Sequence, residues 1–405
     1  MSKGKFLVVI ALAFILSLIL LYIMGGTLHP RKSTEGEEQI TDTTLANLNA
    51  DAIANIKQAK TPKTNNKQLS SDPSAHIVTQ ERQSILQCGG DPVGYDEDDH
   101  EQGDYDKAYT NLVDRHLDSL SDSTLYEQKL AHALFAHWRA NEDENKRLAL
   151  LFEFEASYPG NSLVLMDILN LCAVNNHPQC TQEFIDYAVA SDKQNGAMWF
   201  NAAMVYAAKQ DNEAVLRMIE GLNASNIFNE RFGERVLGFV DAMEASEANS
   251  FAANVLMGIG IDAARPVNYQ SITHWCKTKV NNLQNAAACL TLGLNMEKRA
   301  KTMINRMIGS AIQGIVYKAE GNNEALARLE QTGNSYRDPS FAVGTNAAHN
   351  LFSNDEKRIR QWLKEIDSLG EHESQLMFIE DAIKVSEHMG QEYCESRVSM
   401  PHLNL

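Results

Sequence analysis

The chain has 405 residues, 44% of them hydrophobic, and a formal charge of −17. Lys3 and Lys5 give the first 25 residues +2, so the remainder carries −19. Such a body repels phosphate backbones and anionic lipid heads, which excludes nucleic acid as an expected partner and leaves a basic protein or a cation more compatible.

In chain order, residues 1–5 read as a short cytoplasmic lead. Residues 6–24, "FLVVIALAFILSLILLYIM", hold no charge and no proline. As a helix this stretch is roughly 28 Å long, close to the thickness of a bilayer core. A secretory h-region is shorter, about 7–15 residues, and ends at a small-x-small cleavage site. The exit here, "IMGGTLHPRKS", has no such site. The sequence therefore predicts an uncleaved signal anchor, with a cleaved signal peptide as the alternative. Lys3, Lys5 and the free amine precede the span, and Arg31 and Lys32 follow it. The positive-inside rule leans toward a cytoplasmic N-terminus. A single anchor with a short lead and a long C-terminal body exports that body. The expected address is the inner membrane, single-pass, with the body facing the periplasm.

Residues 25–106 are polar and poor in large apolar side chains. They read as a flexible, largely disordered linker, because such a stretch buries too little to offset its ordering entropy. Leu45, Leu48, Ile53 and Ile56 allow one short helix within it. The linker ends in "DEDDHEQGDYD", with seven acids in eleven positions. A calcium loop started at Asp98 puts Gly103 correctly at its sixth place but Tyr109 at its twelfth, where a bidentate Glu is needed. A solvated acidic run is the plainer reading.

From residue 107 to residue 394 the pattern is helical, with short breaks and no convincing period-two strand, and residues 395–405 read as a tail. Trp199, Ala202, Ala203, Tyr206 and Ala207 line one helix; after a break at Gln210–Asn212, Val215, Met218, Ile219 and Leu222 line the next. Ile304, Met307, Ile308, Ala311, Ile312 and Ile315 mark another that stops near Gly321. Ser353 and Glu356 suggest a capping box for a helix lined by Ile359, Trp362, Leu363 and Ile366 and ending at Gly370. The following helix carries Leu376, Ile379 and Ile383 and is expected to stop at Gly390. Pro159–Gly160 is a helix break.

"GNSLVLMDILNLC" from Gly160 and "NGAMWFNAAMVYA" from Asn195 align at an offset of 35 residues. A period near 34 is what stacked helical hairpins produce. Trp199, Ala202, Ala203, Tyr206 and the turn "KQDNEA" resemble the first helix and turn of a tetratricopeptide repeat. The second-helix alanine, Ala214, comes one residue early, and no proline closes the unit. The resemblance covers about 70 residues and fades after Gly221. It implies an all-α, tetratricopeptide-like α-solenoid that binds protein segments in a groove lined by first helices. Carried onto this unit, the groove positions are Phe200, Met204 and Ala208. The alternative is that Phe200 and Met204 pack on an adjacent hairpin.

The six cysteines are Cys88, Cys172, Cys180, Cys276, Cys289 and Cys394, and none forms a C-x-x-C. An even count in an exported domain reads as bridges; in a reducing compartment the same residues would be buried thiols. Cys172 with Cys180 and Cys276 with Cys289 each flank a predicted turn, which leaves Cys88 and Cys394 to bracket the body. A structural zinc would take Cys172, His177 and Cys180, but no neighbouring residue offers a fourth ligand.

No H-E-x-x-H, G-x-S-x-G or Walker loop is present. Gly258, Gly260 and Ala263 form a G-x-G-x-x-A string without the preceding strand and following acid of a dinucleotide site, so it reads as a helix end. His132 and His137 lie five apart, about 140° from sharing a helix face, which does not suit a metal pair. No catalytic residue, cofactor or metal is expected. The sequence points to an exported protein-binding scaffold or adaptor, with an envelope hydrolase on an all-helical body, or an assembly factor of a membrane complex, as alternatives.

Overall fold

The computed structural model describes residues 102–136, 144–175, 177–246, 250–336, 339–353 and 355–398. The expected anchor, and the expected linker up to residue 101, lie outside them. Among the described residues the chain is all-α, with sixteen helices and no strand. None of these helices is long and apolar enough to cross a membrane. Helix α1 (Gln102–Ser119) takes up the last five residues assigned to the linker. It also makes helical the fifth to twelfth places of a calcium loop begun at Asp98, which excludes that loop.

The chain continues through α2 (Tyr126–Phe135), α3 (Glu144–Ser157), α4 (Ser162–Val174), α5 (Gln182–Ser191), α6 (Gly196–Ala208), α7 (Asn212–Ala224), α8 (Phe232–Met243) and α9 (Phe251–Ala263). Then come α10 (Tyr269–Lys279), α11 (Leu283–Arg299), α12 (Met303–Ala319), α13 (Asn323–Tyr336), α14 (Pro339–Phe352), α15 (Glu356–Leu369) and α16 (Glu371–Val398). Short polar side chains start most of them. Asn161, Thr181, Asn195, Asp211, Asn268 and Asn282 each accept a backbone N–H at the first turn of the helix they precede, satisfying donors that have no intrahelical partner.

Helices α2, α4, α6, α10 and α12 pack in succession, and α3, α5, α7, α11 and α13 follow them as the second members of five hairpins. The row is not built from consecutive sequence. After α7 the chain leaves it, and α8 packs on α9, α2 and α15 before α10 returns to α6. This departure is why the repeat signal fades after Gly221. Helices α14–α16 build a second core on α8 and α9, centred on Val236, Val240, Trp362, Leu363, Phe378 and Ile379. Gly233 of α8 lies against the Leu363 carbonyl of α15, where a side chain would overlap it.

Three sequence expectations are corrected. The N-cap of α15 is Asp355, which accepts from the Arg358 N–H, not Ser353. Helix α16 passes through Gly390 and runs to Val398. Helix α6 is not two-faced: eleven of its thirteen residues are buried, as in α4. Both sit inside the row with neighbours on every side, and an all-round apolar helix is a core helix.

Asp167 of α4 is 2% exposed and meets three arginines. Arg147 Nη2, Arg235 Nη1 and Arg265 Nη1 each lie 3.1 Å from its carboxylate. Asp262 of α9 joins Arg235 Nε at 3.0 Å and Arg265 Nε at 2.8 Å. Burial alone would raise the Asp167 pKa; the three guanidinium groups outweigh it and hold the carboxyl below its usual range. Replacing Asp167 with Asn leaves three buried arginines short of charge. We expect Asp167→Asn to cost on the order of 3–5 kcal/mol in urea unfolding, while breaking the exposed Arg328–Glu324 pair changes stability by less than about 0.5 kcal/mol. A loss at Asp167 below about 1 kcal/mol would contradict the central role of this network.

Candidate functional site

Phe200 and Met204 do not line an open groove. They are 2% and 0% exposed. Phe200 stands between Phe228 and Tyr269, ring centroids 6.0 and 6.2 Å away, and the Met204 carbonyl accepts from Ser271 Oγ at 3.0 Å. Helix α10 fills the face assigned to a partner; only Ala208, at the helix end, is exposed.

Cys172 and Cys180 are bonded sulfur to sulfur with Cα atoms 5.7 Å apart, and Cys276 and Cys289 likewise at 5.8 Å. The first bond takes both thiols from a zinc site. Cys88 lies outside the described residues, as does the side chain of Cys394. His132 binds the Leu117 carbonyl through Nδ1 at 2.8 Å, and His137 lies outside the described residues. Gly258 is inside α9, packed on Phe239 and Val236, so the glycine string has no loop in which to hold a phosphate.

Among the described residues, three carboxylates have raised pKa values. Burial is the main cause at Glu230, Glu371 and Asp367. Each is occupied as the N-terminal cap of a distant helix. Glu230 accepts from Lys301 N, Thr302 N, Thr302 Oγ1 and Asn305 Nδ2 at 2.8–3.3 Å, and Glu371 from Met303 N at 2.6 Å, all at the start of α12. Asp367 accepts from Gly233 N and Glu234 N at the start of α8. The space beside Arg147, Asp167, Asn170 and Arg265 has no room for a water molecule.

The surface that does offer unspent side chains lies between α3 and α5. The 172–180 staple folds the loop that carries His177, and His177 stacks on Phe152 of α3 at 6.0 Å and 22°. Phe152 meets Phe184 of α5 edge-on at 4.9 Å, and Phe184 meets Tyr187 at 6.1 Å. Tyr187 is 39% exposed; Phe152, Phe184 and His177 are half-buried. The Tyr187 hydroxyl donates to Glu155 Oε1 at 2.5 Å, and Gly160 N donates to the same oxygen at 2.7 Å. Burial and that bond raise the Tyr187 pKa, so the phenol stays a donor. Glu155 Oε2 is buried and has no hydrogen-bond partner. Glu153 of α3 and Glu183 and Asp186 of α5 are exposed; Asp186 lies about 160° round the helix from Phe184, on the side of Tyr206. The backbone N–H of Glu183 and the Thr181 hydroxyl hold the Glu183 carboxyl below its usual range. Lys209 is bound to the Cys180 carbonyl at 2.8 Å.

No protein-family model, curated protein or solved structure matches this chain. The α3/α5 surface therefore stands on its own geometry. Its rings come from two helices and a loop, so the sequence does not show them as one surface. The one local signal was the aromatic spacing of Phe152, Phe154 and Tyr158 around Glu155.

Two predictions concern this part of the molecule. In the chain-entropy model, closing loops of these lengths stabilises by about 2–3 kcal/mol per bridge. Denatured, non-reduced protein should leave Cys172, Cys180, Cys276 and Cys289 unlabelled by a thiol alkylator, and a reductant should lower the midpoint of unfolding. Separately, His349 of α14 packs on Trp362 and Phe378, and burial lowers its pKa to about 4. The unfolded chain binds this proton first, so the contribution of neutral His349 is whole above pH 6.5 and is lost as pH falls toward 4. Urea unfolding at pH 7.5 and pH 5 should differ by up to about 2 kcal/mol more in the native chain than in His349→Leu.

Proposed function

We propose that this chain is a membrane-anchored protein-binding scaffold of the cell envelope. Residues 6–24 act as a single-pass anchor in an inner membrane, the linker extends the body from it, and the body works in the periplasm as a tetratricopeptide-like solenoid. The observation that carries this reading is the α3/α5 surface: partly exposed aromatic rings and a protonated tyrosine, next to a loop held by a bridge. Aromatic side chains with a polar rim are what protein interfaces use as anchors. Two buried bonded cysteine pairs suit an oxidising compartment. The groups that a hydrolase would use, carboxylates with raised pKa, are here committed to helix ends.

A photo-crosslinking residue at Tyr187 in the membrane-embedded chain should capture protein, whereas one at exposed Glu220 of α7 should not. Protease added after the outer barrier is opened should digest the body. Equal capture at both positions, or a body shielded from protease, would remove this reading.

A further inference from the structure

Helix α12 packs mainly on α10, α11 and its hairpin partner α13. Its inner side meets α11 at Gly309, which lies against Gly293 so closely that a side chain would overlap it. On the side opposite Gly309, Ile304, Met307, Ala311, Gly314 and Lys318 recur at spacings of 3, 4, 3 and 4. They fall within an arc of about 80° of the helix. Ile304, Ala311 and Lys318 are exposed, and Met307 and the adjacent Ile315 are half-buried. The space over Gly314 is open. Apolar residues at this repeat form the seam along which one helix packs on another.

The charges at the two ends of the seam decide what covers it. Lys318 stands on the seam at the C-terminal end, while Glu320 falls about 160° away round the helix. At the N-terminal end Glu371 is bonded to Met303 N, next to Ile304. Ends of opposite sign complement an antiparallel copy of the same seam; a parallel copy sets Lys318 beside Lys318. Helix α11 has a comparable stripe in Leu283, Ala287, Leu290 and Leu294. There Lys279 precedes the stripe and Lys298 ends it, so self-pairing in either direction brings lysines together.

We propose that α12 pairs antiparallel with α12 of a second copy of this chain, about a two-fold axis at Ala311. Ala311 then faces the partner's Ala311, Met307 the partner's Ile315, and Ile304 the partner's Lys318, whose ammonium group comes beside Glu371. Small residues at the axis, Ala311 and Gly314, let the two helices approach closely. Such a contact uses the same patch on both copies and closes at two. Helix α12 has 17 residues and is about 25 Å long. One helix pair of that length belongs to the weak, transient class of interfaces, below about 1,200 Å². This surface is separate from α3/α5 and does not depend on the scaffold reading.

The test uses the full chain in detergent micelles. Sedimentation equilibrium should show a monomer–dimer equilibrium at micromolar concentrations. Ala311→Asp sets like charges at the axis and should weaken it about tenfold or more, and Lys318→Glu about threefold. Leu294→Glu on α11 should stay within about twofold. All three positions are exposed, and circular dichroism checks that the variants fold. Under mild oxidation Ala311→Cys should give a disulfide-linked dimer in excess of the native chain, joined through the two introduced thiols. Ala287→Cys on α11 should give no such excess. A monomer at every concentration, a dimer untouched by Ala311→Asp, or no excess crosslink from position 311 would overturn the proposal. So would loss of the dimer in Leu294→Glu alone, which moves the contact to α11. A bond from the introduced thiol to Cys88 or Cys394 of the same chain, or to a different protein, would give the seam another occupant and overturn it as well.

Discussion

A single carboxylate, Asp167, sits where three separate parts of the chain meet, and the described body is organised around it. Arg147 comes from α3, Arg235 from α8, and Arg265 from the turn after α9. None of these cations could be buried alone, since an unpaired ion in a low-dielectric interior costs several kcal/mol on the order-of-magnitude scale. Asp167 and Asp262 together supply two negative charges against three positive ones. Burial and the like charge of Arg265 push the pKa of Arg235 down, while Asp262 and Asp167 push that of Arg265 up. What the cluster provides is position. It fixes the α8/α9 excursion against the hairpin row at one register, because a slide in either direction strands a buried ion.

The same logic recurs at the helix ends. Helices α8 and α12 begin without side-chain caps of their own. Carboxylates from remote segments take that role, with Asp367 on α8 and Glu230 and Glu371 on α12. The positive end of each helix stabilises these anions, and each anion ties its own segment down. Arg299 does the converse at the end of α7, donating to the carbonyls of Leu222, Ser225 and Ile227. Buried polar groups in this body are thus joints between elements. Glu155 is such a joint too, tying α3 to Tyr187 of α5 and to Gly160; the α3/α5 surface differs in that its rings remain partly open to solvent.

Helix packing also explains why the groove implied by the repeat resemblance is closed. In an array of consecutive hairpins, the first helices share one open face. Here α10, not α8, is the neighbour of α6, and it covers Phe200 and Met204. Among the described residues, α3 and α5 keep Phe152, Phe184 and Tyr187 partly exposed, and Tyr126 is exposed on α2.

Much of the local order was legible in the residues. Turn chemistry marked the breaks between α6 and α7 and between α10 and α11, and cap and glycine signals the ends of α15, to within a few residues, because these signals act between near neighbours. Proximity across a turn was enough to suggest the 172–180 and 276–289 pairs. Asp167 inside "LVLMDILNL" carried no such signal, because its partners lie from 20 to 98 residues away. Periodicity misread α6, since an apolar stripe reports which face is buried first and not whether a second neighbour covers the other face. The sequence by itself determined helices, breaks and local staples, all set by interactions within a turn or two. Only the tertiary structure decided that α8 and α9 leave the row, that α10 takes the expected groove, and that a partly exposed aromatic face remains. Those outcomes depend on ion pairs, caps and ring contacts between segments that no local pattern connects.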